Sequence, residues 1–251
     1  MWPREKIRLF VDAPLGEGKA VALTRDQAHY LFGVMRLAVG ARLALFNGSD
    51  GEGTAEVTSA GKRAGTLTCL GQAAPQLDPP DLWLMFAPIK KARTDFIVEK
   101  AAEMGTARIL PVLTRFTNAE RVKVERLQAH AVEAAEQCGG TYVPPVDAPR
   151  KLSDVLEDWP DDRLILFADE ALADGSSGAR PLFASDEGRT DRRADPWAIL
   201  IGPEGGFSDD ERARLHAMPQ ARPVRLGPRI LRADTAAVAA LTLWQSTLGD
   251  W

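Results

Sequence analysis

A proline-rich segment at residues 73–81 divides the chain into two parts with different hydrophobic patterns. Pro75, Pro79 and Pro80 remove three backbone donors within six positions and favour extended backbone. Before this segment, short apolar runs alternate with turn residues. After it, apolar runs of four to six residues alternate with helical patterns. The sequence therefore predicts two domains, at residues 1–73 and 82–251, joined by a linker at 74–81.

The first part has the pattern of a small β-barrel. Apolar runs bounded by turn residues predict strands at 8–11, 41–46, 53–57 and 65–70. The residues at 47–51, Asn-Gly-Ser-Asp-Gly, form a strong turn signal between two of these strands. Thr24 and Gln27 fit a capping box for a short helix through Leu31.

The second part has the pattern of an α/β domain. We predict strands at 82–87, 109–113, 164–167 and 197–201, and helices at 94–105, 120–138, 208–217 and 234–248. Strands that are apolar along their whole length and alternate with helices indicate a parallel sheet covered on both faces. Residues 170–196 contain few large apolar side chains and are expected to form a long loop.

Composition excludes several classes of site. No run approaches the roughly 18–20 apolar residues of a membrane span, and residues 1–6 lack the apolar core of a signal peptide, so we expect a cytoplasmic protein with no membrane association. The two cysteines form no C-x-x-C pair, and the three histidines are scattered, so we expect no disulfide framework and no metal.

The net charge of −4 hides an asymmetry along the chain. Residues 1–128 carry an excess of four basic residues, whereas residues 129–251 carry an excess of eight acidic ones. A surface that faces phosphates should therefore draw mainly on the first half.

Two glycine- and proline-bearing segments have the features of ligand loops. In 199–211 a buried strand leads into Gly-Pro-Glu-Gly-Gly, and Ser208 with Glu211 fits a helix capping box. In 225–237 a strand ends at a second Gly-Pro turn before a helix that Asp234 or Thr235 could cap. Neither segment fits the phosphate-loop or G-x-G-x-x-G pattern. Arg229 and Arg232 could clamp a phosphate or stabilise developing negative charge.

These segments carry a resemblance to a known family. Residues 201–207 followed by 226–232, together with 90–105, 133–139, 8–11 and 29–36, resemble the RsmE family of bacterial 16S ribosomal RNA uridine N3-methyltransferases, in the SPOUT superfamily. The resemblance implies a SPOUT-type parallel sheet with a deep trefoil knot, and an N-terminal PUA-like β-barrel that binds RNA. It further implies S-adenosylmethionine as cofactor, 16S rRNA or the small ribosomal subunit as partner, and a homodimer.

The same resemblance implies the site residues. The cofactor loops fall at 167–170, 201–206 and 226–231, with cofactor-binding candidates Phe167, Ala168, Ile201, Gly202, Pro203, Glu204, Gly205, Gly206, Leu226, Gly227, Ile230 and Leu231. Arg232 is the catalytic candidate, as the group that stabilises an anionic uracil. Asp234 stands where relatives commonly have glutamate, which favours a helix-capping role for it. Basic side chains of the first half are the RNA-binding candidates: Arg8, Arg36, Lys90, Lys91 and Arg93.

Three alternatives remain open at this point. The first is a SPOUT methyltransferase that acts on another RNA, such as tRNA. The second is a nicotinamide-dependent oxidoreductase, against which the missing G-x-G-x-x-G counts. The third is a non-catalytic RNA-binding or ribosome-associated protein.

Overall fold

The computed structural model describes residues 5–118, 122–174 and 195–251. The chain divides into an N-terminal unit, Met1–Asp78 with Ala135–Val143, and a C-terminal unit, Pro79–Ala134 with Pro144–Trp251. Residues 135–143, predicted to lie in the second domain, group with the N-terminal unit. No helix in the described ranges is long and apolar enough to cross a membrane.

The N-terminal unit is built on a five-stranded mixed sheet. Its strands are β1 (Arg8–Phe10), β2 (Ala20–Ala22), β3 (Arg42–Phe46), β4 (Glu52–Ala60) and β5 (Gly65–Ala74). Their order is β1-β3-β4-β5-β2, with β1 parallel to β3 and the other pairs antiparallel. Alternate strand residues point into one apolar core, as the period-2 pattern predicts. The strand β2 was missing from the sequence prediction.

The helix predicted after Thr24 is confirmed, and it continues in an unexpected form. Thr24 and Gln27 make the capping box of α1 (Arg25–Ala28). A π-helical turn, His29–Val34, follows directly. Arg36 then adopts a left-handed backbone with φ of 56°, which is uncommon for a residue other than glycine. Val34 at the end of the π-helical turn and Val39 beyond it are exposed.

Arg8 is buried inside the N-terminal unit. Its Nε donates to the Glu52 carboxylate at 2.6 Å, and its Nη atoms donate to the carbonyls of Ala135 at 2.5 Å and Gly140 at 2.7 Å. One guanidinium thus satisfies a buried carboxylate and also holds the chain at 135–143 in this unit.

The C-terminal unit is built on a six-stranded parallel sheet. Its strands are β6 (Leu82–Phe86), β7 (Arg108–Leu113), β8 (Arg150–Lys151), β9 (Leu164–Ala168), β10 (Trp197–Ile201) and β11 (Ala221–Val224). Their order is β11-β9-β10-β6-β7-β8. Every residue of β10 is buried, as the prediction of a doubly covered sheet requires.

The helices associated with this sheet are α2 (Lys91–Glu103), α3 (Val124–Cys138), α4 (Leu152–Glu157), α5 (Asp209–Ala217) and α6 (Ala233–Leu248). The predicted helix 120–138 begins at Val124 in the structure, and residues 119–121 lie outside the described ranges. A short 3-10 turn, Glu170–Asp174, follows β9. Most of the loop predicted at 170–196 also lies outside the described ranges.

The start of α6 corrects one expectation. The N-cap is Arg232, whose side chain makes no capping hydrogen bond, while the Asp234 carboxylate accepts from the N–H of Thr235 at 2.9 Å. Asp234 and Thr235 were expected to cap it, but both lie within its first turn. A carboxylate in the first turn still interacts favourably with the free N–H groups of the helix, so the charge of Asp234 suits this position. The capping box of α5, Ser208 with Glu211, is confirmed.

The burial of Arg8 predicts a strong effect on stability. We expect Arg8→Ala to lower the free energy of unfolding by about 3–5 kcal/mol, because Glu52 would stay buried without its counter-ion. Arg42→Ala removes an exposed ion pair to Glu56, which is 3.7 Å long, and should cost less than about 0.5 kcal/mol. Urea unfolding of both variants measures the difference. Equal losses would contradict the assignment.

Hydrogen bonds in the loop at 47–51 predict a lowered pKa for Asp50. The pKa of Asp50 is lowered from 3.8, chiefly because its carboxylate accepts from Leu15 N–H and also from the Asn47 amide. The charged form is favoured by folding, so its contribution to stability exists above the ordinary pKa and is lost as the pH falls through the lowered one. An NMR pH titration should place the Asp50 midpoint below 3.8, and Asn47→Ala should raise it. An Asp50 midpoint that is the same in Asn47→Ala as in the wild type would show that the Asn47 hydrogen bond does not lower this pKa.

Candidate cofactor-binding site

A cavity of about 310 Å³ lies in the C-terminal unit, where three neighbouring strands end. Its walls are the segments that follow β9, β10 and β11, together with the first turn of α6. Open parallel sheets bind ligands at the carboxyl ends of their strands, and this volume is within the range of small-molecule pockets. The position therefore makes the cavity the candidate functional site.

Most of the predicted cofactor-binding residues line this cavity. They come from three separate parts of the chain and meet there: Ala168, Ile201, Gly202, Pro203, Glu204, Gly206, Leu226, Gly227, Ile230 and Leu231, together with the catalytic candidate Arg232. Two candidates do not line it. Phe167 is fully buried in the core beneath, and Gly205 lies against the side chain of Phe116.

The glycines of the 202–207 loop are required by close packing. A Cβ on Gly202 would lie 2.7 Å from the ring of Phe207. That ring is buried and packs edge-on against Phe167 at a centroid distance of 5.0 Å. Gly206 has φ of 71°, and a Cβ there would collide with the Glu170 carboxylate. The loop can therefore follow this path only with glycine at both positions.

The second ligand loop carries three arginines into the cavity wall. Gly227 has φ of 99°, and the Nε of Arg225 donates to its carbonyl at 3.0 Å. Arg229 and Arg232 are exposed, and neither forms an ion pair with a residue in the described ranges. Their charges are thus available to a ligand. The backbone of Arg232 is fixed, because its carbonyl accepts from Ala236 N–H at 2.7 Å.

Arg93 makes contacts beside the cavity that its assignment to RNA did not anticipate. Its Nη1 donates to Glu204 at 2.7 Å, and its Nε lies 3.6 Å from an Asp234 oxygen. Arg93 therefore links the first turn of α2 to two elements of the cavity wall. Lys90, just before α2, is exposed, as is Arg36 of the N-terminal unit, so both remain RNA-binding candidates.

Arg8 is not available to RNA. Its guanidinium is buried and engaged by Glu52 and by main-chain carbonyls. The sequence contains a basic residue at the start of a strand, but it does not reveal that the end of α3, more than 120 residues later, covers it. We therefore withdraw Arg8 as a candidate.

Sequence reasoning missed a charged network at one wall of the cavity, in which Asp169 and Glu170, which line the cavity, contact Arg212 and His216 of α5. The Asp169 carboxylate accepts from Arg212 Nε at 3.1 Å and lies 2.9 Å from His216 Nε2. Arg212 also donates to Glu170 at 3.1 Å. The i, i+4 spacing of Arg212 and His216 places them on one face of α5, which was the available signal. The described residues contain no cluster of side chains suited to a metal ion.

Comparison with known proteins agrees with this architecture. An RNA methyltransferase domain model matches residues 76–245, and an RNA methyltransferase PUA domain model matches residues 23–68. Ribosomal RNA small subunit methyltransferase E of Rickettsia conorii is 31% identical over 93% of both chains. The protein of the same name from Synechocystis is 31% identical over 88% of this chain and 71% of its own.

Two solved structures share the fold over nearly the whole length. A Legionella pneumophila methyltransferase in complex with S-adenosylmethionine is 26% identical, with a TM-score of 0.81 over 98% of this chain and 99% of its own. Ribosomal RNA small subunit methyltransferase E of Neisseria gonorrhoeae, bound to S-adenosylmethionine, is 25% identical, with a TM-score of 0.80 over the same shares. The predicted fold class is confirmed, while the trefoil knot stays a prediction. The chain belongs to the RNA methyltransferase family that includes the ribosomal RNA small subunit methyltransferases E.

Proposed function

We propose that this protein transfers a methyl group from S-adenosylmethionine to N3 of a uridine in 16S ribosomal RNA. The observation that supports this proposal most strongly is the cavity at the ends of β9, β10 and β11. It is lined by 11 of the 13 residues proposed for cofactor binding and catalysis. Membership of the RNA methyltransferase family supports the reaction class. The relatives' names support the small-subunit RNA as substrate, and the resemblance of residues 201–207 and 226–232 to the RsmE family supports uridine N3.

The residues of the cavity suit S-adenosylmethionine. Main-chain groups of the two glycine-proline loops can hydrogen-bond the adenine, and the apolar side chains of Leu226, Ile230 and Leu231 can pack on it. The carboxylates of Glu170 and Glu204 provide acceptors for hydroxyl or ammonium groups. When bound, S-adenosylmethionine supplies an electrophilic methyl group on its sulfonium sulfur.

Arg232 is the residue that we assign to the uracil. The ring must lose its N3 proton before or during attack, and the resulting charge spreads onto O2 and O4. Arg232 lines the cavity and stands at the N-terminus of α6, where the helix dipole adds positive potential. Glu204 and Asp234 form ion pairs with Arg93. Arg232 is therefore free to interact with an anion.

The remaining parts of the proposal concern partners and location. Arg36 and Lys90 are the exposed cations proposed to contact RNA phosphates, and Arg93 keeps an RNA-binding role only if it exchanges its present carboxylate partners. We propose a cytoplasmic homodimer. The exposed side chains of Ile230 at the cavity and Leu243 on α6 support an interface near the site.

The substrate is tested with unmodified RNA. Recombinant protein incubated with labelled S-adenosylmethionine and small ribosomal subunits from a deletion strain should produce 3-methyluridine in 16S rRNA, detected by nucleoside mass spectrometry. Bulk tRNA should receive no label. Label in tRNA but not in 16S rRNA would favour the alternative substrate, and absence of S-adenosylmethionine binding by calorimetry would favour a non-catalytic RNA-binding protein.

Replacement of Arg232 tests the catalytic assignment. We expect Arg232→Ala to lower the single-turnover methylation rate by about 100-fold, because the developing charge loses its donor, while the S-adenosylmethionine Kd stays unchanged. Arg232→Lys keeps the charge but loses the planar fork, so its rate should be intermediate. Wild-type rates in the alanine variant would remove Arg232 from the mechanism.

A further inference from the structure

The charged network at this wall of the cavity centres on a buried carboxylate. The Asp169 side chain is 1% exposed, and its two oxygens meet Arg212 Nε at 3.1 Å and His216 Nε2 at 2.9 Å. The N–H of Ala171 also donates to it, at 3.1 Å. A carboxylate this deeply buried requires such compensation, so the side chains of α5 hold the end of β9 in place.

The adjacent carboxylate, Glu170, joins two walls of the cavity. Its Oε1 accepts from Arg212 Nη2 at 3.1 Å and from the main-chain N–H of Phe207 at 3.2 Å. It also occupies the space that a side chain on Gly206 would need. Glu170 thus links the segment after β9 to the loop after β10, and both segments line the cavity.

We propose that Arg212 is a positioning residue for the cofactor: it does not line the cavity, but it holds Glu170 in the place where that carboxylate fixes the 202–207 loop. This inference rests on the proposed function. Without the guanidinium, the partners left among the described residues would be the Phe207 N–H for Glu170, and His216 and the Ala171 N–H for Asp169. The segment after β9 and the 202–207 loop would then no longer be held at a fixed separation. Binding of the cofactor would have to order them, which would weaken the affinity.

Arg212 lies away from the residues assigned to the uracil, and this separates two kinetic quantities. Arg212 contacts Asp169, Glu170 and Asp209, and it has no contact with Arg232. We therefore expect the loss of Arg212 to raise the KM for S-adenosylmethionine and to leave kcat nearly unchanged. A role confined to folding would lower the folded fraction and would not change KM selectively.

The experiment compares Arg212→Ala with Arg214→Ala. Arg214 lies on the same helix and forms no ion pair in the part of the chain that the structure describes, so it is the matched control. At a temperature where circular dichroism shows both variants folded, Arg212→Ala should raise the S-adenosylmethionine Kd about ten-fold, and Arg214→Ala should leave it unchanged. Arg212→Lys should recover part of the affinity.

A double-mutant cycle tests whether Arg212 acts through Glu170. Glu170→Gln keeps the shape of the side chain and removes its charge. If the two residues form one unit, the Kd of the double variant should rise by clearly less than the product of the two single effects. Multiplicative effects, or a wild-type Kd in folded Arg212→Ala, would overturn the inference. If wild-type protein itself fails to bind S-adenosylmethionine, the proposed function fails instead.

Discussion

The shared edge at which β9, β10 and β11 end is the constraint on which the rest of the site depends. The strands are parallel and adjacent, so the segments that follow them, at 168–170, 202–207 and 225–232, emerge side by side although they are far apart in sequence. Each segment must then pass close to its neighbour. Gly206 is required by that proximity, since a side chain there would collide with the Glu170 carboxylate of the segment after β9.

The charged side chains at the cavity wall fall into two groups. The acidic side chains at its wall are already partnered, Asp169 and Glu170 by Arg212 and Glu204 by Arg93. Arg229 and Arg232 carry no such partner among the described residues and remain exposed. Partnered carboxylates fix the shape of the walls, whereas free cations can respond to a ligand that carries or develops negative charge. Charged side chains with an ion-pair partner therefore stabilise the walls, whereas those without one can bind a ligand or stabilise charge during the reaction.

Patterns along the chain could predict the elements and the ligand loops, because these depend on residues close in sequence. The all-apolar run at 197–201 predicted a doubly covered strand, and Ser208 with Glu211 predicted a helix start. The roles of Arg8, Arg93 and Arg212 could not be predicted, since each depends on a partner that only the fold brings near. The expectation that Asp234 is the N-cap was wrong for a related reason: the helix begins at Ala233, and the carboxylate lies in its first turn, beside Arg93.

The division of the chain has a consequence for protein engineering. Two separate segments of the chain, residues 1–78 and 135–143, form the N-terminal unit. A fragment that stops at the proline-rich segment would keep Glu52 but would lack the carbonyls that accept hydrogen bonds from the buried Arg8 guanidinium. Exchange of the PUA-like portion between enzymes by a single crossover would break this arrangement, so residues 1–78 and 135–143 have to be exchanged together.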